Sequence, residues 1–87
     1  MYEVIGQSGL LTVVDRGSHV EIEYTGNMGA SLENVQRELA NLYGTKNVYR
    51  KLRSIGKVTG HPSYMWTMLV PADKFFRVTK TAHKALR

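Results

Sequence analysis

The stretch HVEIEYTGNMGASLENVQRELANLY, residues 19–43, changes its apolar period midway, and that change decides the fold. Before the glycines, Val20, Ile22 and Tyr24 alternate with Glu21 and Glu23, the two-residue period of a strand with one wet face. After them, Leu32, Val35, Leu39 and Leu42 recur every three or four residues and form one stripe along a helix. Ser31 stands where its hydroxyl could cap the first turn, and Gly44 supplies a left-handed terminator, so a helix is expected over 31–43. Glu33 and Arg37 lie four apart on the opposite side in the favourable order.

Reading outward toward the N-terminus, residues 2–7 and 10–14 are β-branched or aromatic runs divided by Ser8-Gly9, a turn dipeptide. Asp15-Arg16-Gly17-Ser18 then forms the next hairpin turn, with Gly17 supplying a positive φ. Toward the C-terminus, residues 47–55 and 64–70 read as strands joined by a Gly- and Pro-containing loop over 56–63. An alternative makes 48–54 the end of a second helix. Pro71-Ala72-Asp73-Lys74 reads as a turn into a last short strand, 75–79. The expected fold is α+β, a small antiparallel sheet with one helix packed across it, in the order βββαβββ. Residues 1–80 form one compact domain in this reading, and 81–87 a basic tail.

Size and composition agree with a single small domain. The chain has 87 residues, 43% of them hydrophobic, and buries only about two-thirds of the surface its unfolded form exposes. It has no cysteine, so no disulfide or thiolate zinc site can supplement the core. No run approaches the roughly 18 apolar residues of a membrane helix, and the first residues lack a secretory pattern, so the expectation is a cytoplasmic protein without membrane contact.

Charge gives the strongest hint of a partner. Residues 1–45 carry Arg16 and Arg37 against Glu3, Asp15, Glu21, Glu23, Glu33 and Glu38, a net −4. Residues 46–87 carry ten Lys and Arg against Asp73 alone, a net +9. With a pI of about 9.8, such a surface concentrates polyanions, of which nucleic acid is the most abundant inside a cell. The candidate contact residues are Tyr49, Arg50, Lys51, Arg53, Lys57, His61, Trp66, Lys74, Arg77 and Lys80. Cations hold phosphates while exposed rings, here Tyr49, Trp66 and neighbouring Tyr64, offer platforms for unpaired bases. The competing reading sends Tyr64, Trp66 and Met68 into the core at strand spacing, which keeps the phosphate contacts and removes the stacking.

Other motifs carry less. Gly26-Asn27-Met28-Gly29 resembles the GXXG loop with which KH domains clamp a nucleic-acid backbone. The resemblance covers four residues; the KH loop joins two helices and usually holds a basic residue, whereas this one follows a strand. A strand-to-helix turn needs nothing more. His19, His61 and His83 lack the close spacing of metal ligands, so no metal or other cofactor is expected. Asp15, Glu21 and Glu23 could converge as a nuclease-type carboxylate set, but paired hairpin positions explain them, and no catalytic residue is assigned. Phe75 and Phe76 are adjacent, so in a strand one faces outward; with Met65 and Leu69 it would form an apolar patch for a protein partner.

The function expected is a non-enzymatic nucleic-acid-binding domain of low sequence specificity, with single strand and duplex, and RNA and DNA, left open. A second reading is an accessory protein, similar in style to those of phages and mobile elements, that docks its sheet edge or apolar patch on an acidic host protein. A third is homo-oligomerisation of acidic half against basic half.

Overall fold

The alternation over residues 19–24 becomes the central strand of a five-stranded antiparallel sheet. The computed structural model describes residues 3–25, 28–60 and 65–81, with 28–31 described through their backbone alone. Its elements are β1 (Glu3–Ser8), β2 (Leu11–Asp15), β3 (His19–Tyr24), α1 (Met28–Tyr43), α2 (Val48–Ile55), β4 (Lys57–Thr59), β5 (Trp66–Pro71) and α3 (Ala72–Thr79). The strands lie in the order β1-β2-β3-β5-β4. The α+β class and the antiparallel sheet are as expected, but the described residues form three helices where one was expected.

Pairing aligns the apolar positions across the strands. Val13 faces Ile22, which faces Met68, which faces Val58, while Leu11, Tyr24 and Trp66 form the next row. Because directly opposed residues share a face, both rows lie on one side of the sheet. Helices cover that side: Val35 and Leu39 from α1, Val48 and Leu52 from α2, and Phe75 and Phe76 from α3 join the same buried core. The alternate residues, including Glu21, Glu23, Thr67, Leu69 and Lys57, occupy the opposite face, over which no described helix packs. No described helix is long and apolar enough to cross a membrane.

The turns before α1 follow their chemistry. Gly17 has φ +90° and donates its N–H to Asp15 Oδ1 at 2.9 Å, closing the β2–β3 turn. Gly44 ends α1 at φ +74°, its N–H bonded to the Ala40 carbonyl. The start of α1 differs from expectation: the helix begins at Met28, so Ser31 lies inside it rather than at its cap. Within it Leu32 stays 48% exposed, and Arg37 donates to Asn34 Oδ1 rather than pairing with Glu33.

Two expected strands are helices. Over 47–55 the alternative reading is the right one: Val48, Leu52 and Ile55, spaced four and three apart, form the packed side of α2, with the first two buried and Ile55 partly so. At 75–79 the error lay in the period. Adjacent residues in a helix are turned by about 100° rather than 180°, so Phe75 and Phe76 both enter the core, at 0% and 8% exposure. They meet edge to face at 5.3 Å, and Phe75 meets Tyr43 the same way at 5.7 Å. Asp73 in the first turn of α3 and Arg77 in the last suit the helix dipole. The loop expected over 56–63 contains the three-residue edge strand β4. Tyr64, and the expected tail beyond Thr81, lie outside the described residues.

Candidate polyanion-binding face

Helical period, rather than strand period, decides which basic residues share a surface. In α2, Val48 and Leu52 take the core side, which turns Arg50, Lys51 and Arg53 to solvent. In α3, Ala72, Phe75, Phe76 and Thr79 take the core side and leave Lys74 and Arg77 exposed. Lys80 follows as the left-handed C-cap, at φ +58°, and is exposed as well. The two helices pack against each other, so these cations belong to one helical layer. Asp73 is the only carboxylate in either helix.

None of Arg50, Lys51, Arg53, Lys74, Arg77 and Lys80 forms an ion pair with a described carboxylate. The ion pairs among described residues belong instead to Arg16 on the other side of the sheet, which bonds Glu21 and lies 3.8 Å from Glu23. Cations without a carboxylate partner leave a positive potential over this layer.

Between α1 and α2 this layer has a groove of about 240 Å³, lined by Gln36, Lys46, Asn47, Tyr49, Arg50 and Arg53. Lys46 is the residue the sequence reading left out of its set. Its signal was present only in part: Arg50 and Arg53 are three apart on α2, and Lys46 stands just before the Asn47 N-cap of that helix. A hollow at the β1 end of the molecule, about 290 Å³, is lined by Glu3, Asp15, Tyr43 and Phe76 among others. Burial pushes the Tyr43 hydroxyl there up to about 12.

Several expected contacts do not join the face. Trp66 is 1% exposed, its ring 6.3 Å from that of Tyr49 with the planes tilted by 38°, so it cannot stack on a base. Tyr49 is half-buried and lines the groove. Lys57 pairs with Leu69 in β4–β5 and so stands on the open sheet face, across the sheet from the helices. His61 lies outside the described residues. The apolar patch contracts too: Met65 and Leu69 are half-buried, but burial of both Phe75 and Phe76 leaves no outward ring.

The carboxylates do not converge as a set of three. Glu21 and Glu23 share the open face, whereas Asp15 pairs with Val20 and therefore belongs to the helix-covered side. Burial first, and then the charge and hydrogen bond of Glu21, raise the Glu23 carboxyl above its ordinary value, with Arg16 opposing them. His19 is exposed and its Nδ1 lies 3.1 Å from Ser18 Oγ. No three of His, Asp and Glu gather at metal-binding distance among the described residues. No protein-family model matches the chain, nor does any curated protein or solved structure.

Proposed function

We propose that the protein is a non-enzymatic nucleic-acid-binding domain that holds the phosphate backbone with the outer surface of α2 and α3. The observation that carries this reading is the set of six exposed cations on two packed helices, without ion-pair partners among the described residues. A cation already paired to a carboxylate must break that pair before it meets phosphate; these need not, and each contact releases condensed counterions. This reading assigns the cations to phosphate rather than to base edges, so affinity should depend weakly on sequence. The accessory-protein reading loses its apolar patch, because both phenylalanines are buried in the core, and keeps only the sheet edge.

The test replaces Arg50, Lys51 and Arg53 together by glutamine. All three are exposed, so the fold is retained. Fluorescence anisotropy with labelled DNA and RNA at low and moderate salt is expected to show tight, salt-sensitive binding by the native chain. The variant should lose about tenfold or more in affinity, with a shallower salt slope. Equal affinity in the variant sinks the assignment of the face, and no binding by the native chain at low salt sinks the function and turns attention to an acidic protein partner.

A further inference from the structure

The cationic layer is not uniform, and its unevenness points to a preference. On α3 the exposed side offers Lys74, Arg77 and Lys80 but no ring, because both phenylalanines of that helix are buried. The groove between α1 and α2 instead sets the ring of Tyr49 among Lys46, Arg50 and Arg53, with the Gln36 amide on the facing helix. An amide carries both donors and an acceptor, and so can meet the polar edge of a base while the ring meets its face. In a duplex each base is covered on both faces by its neighbours and on its pairing edge by its partner; only an unpaired nucleotide has them free.

We infer that the groove is a subsite for one unpaired nucleotide, its base against Tyr49 and its phosphates on Lys46, Arg50 and Arg53, so that the protein prefers single strands to duplex. This rests on the polyanion-binding reading and goes one step past it. Under this assignment α3 extends the phosphate track and contributes no selectivity. Tyr49 is also suited to the role mechanically. Its ring packs on the core beside buried Trp66, which fixes the platform before a base arrives and reduces the ordering cost of binding.

Three labelled probes of equal length test it by anisotropy at fixed salt: an oligothymidylate, an abasic phosphodiester strand, and a duplex. An oligouridylate run beside them tells whether the sugar matters. The native chain is expected to bind the base-bearing strands about tenfold more tightly than the abasic strand, the range typical of stacking on one aromatic residue. Tyr49→Phe, which keeps the ring, should preserve that ratio; Tyr49→Leu should bring it close to one. Lys46→Gln should weaken all strands alike. Trp66 is the only tryptophan and is buried, so its emission reports whether each variant is folded.

Equal binding of abasic and base-bearing strands by the native chain, or a preference that survives Tyr49→Leu in a folded variant, overturns the subsite while the phosphate-binding function stands. Absence of binding to every probe at low salt overturns both.

Discussion

Glu23 carries a local cost that has a measurable sign. Its side chain, 29% exposed, sits two positions from Glu21 on the open sheet face, and one guanidinium, that of Arg16, serves both. Its carboxyl is raised from 4.5 by burial and by Glu21. A raised value means that the fold favours the protonated form. The stabilising contribution is therefore complete below the unfolded value and is lost as pH climbs through the folded one, leaving a penalty at neutrality. Glu23→Gln should stabilise the protein at neutral pH by about 0.5 kcal/mol, which for a domain of this size raises Tm by about 2–4 °C. Thermal melts at neutral pH and near pH 4 check this, since the gain should vanish where the native carboxyl is itself protonated. Tyr43 obeys the same rule at the other end of the scale: its contribution is whole below 10.0 and disappears as pH passes about 12.

At the scale of elements, the joint between α2 and β4 depends on a missing side chain. A Cβ on Gly56 would lie 2.8 Å from Val70 Cγ2, 2.9 Å from the Leu52 carbonyl oxygen and 3.0 Å from that of Leu69. Two of these are backbone atoms of a helix and a strand, which cannot rotate away. Gly56→Ala should therefore force β4 off β5 or strain the end of α2, at a cost of about 1–3 kcal/mol, visible as a lower midpoint in urea denaturation. The same joint shows why the sequence was legible in its first half and misread in its second. β3 and α1 each repeat their period long enough to declare it, six residues at period two and sixteen at period 3.6. α2 and α3 have eight residues apiece, little more than two turns, and α3 is built of Phe75, Phe76, Val78 and Thr79, residue types whose local preference is for strand. Burial of both rings overrode that preference. β4, three residues between Gly56 and Gly60, has too little pattern to show at all. The candidate site inherited the same division: its cations were evident from composition, but which of them share a surface depended on helices that the local sequence disguised, so Lys46 was missed and Lys57 and Trp66 were included.

For the whole molecule, the split of charge along the chain does not become a split between two sides, because α1 carries Glu33 and Glu38 into the helical layer and Asp15 faces it too. What distinguishes the α2–α3 surface is a set of cations without carboxylate partners among the described residues. The basic half folds largely into α2 and α3 on one side of the sheet, while Glu21 and Glu23 of the acidic half stand on the other, beside Arg16 and Lys57. Under the proposed function a polyanion is drawn to the cations of α2 and α3, while on the far face Arg16 and Lys57 balance Glu21 and Glu23. The consequence is quantitative in salt. For a single strand, each phosphate contact contributes roughly 0.7 to the slope of log Kobs against log salt concentration. Neutralising Arg50, Lys51 and Arg53 should lower the slope by about 2, and neutralising Lys74, Arg77 and Lys80 by a similar amount, the two losses adding because the sets act on different stretches of backbone. Lys57→Gln is the control that composition alone cannot supply. It removes the same unit of charge from the same basic half, yet it lies across the sheet from the helices, so the slope should not change. A loss at Lys57 equal to that at a helical cation would mean that the strand wraps around the β4 edge, and the binding surface would then have to be redrawn to include both faces of the molecule.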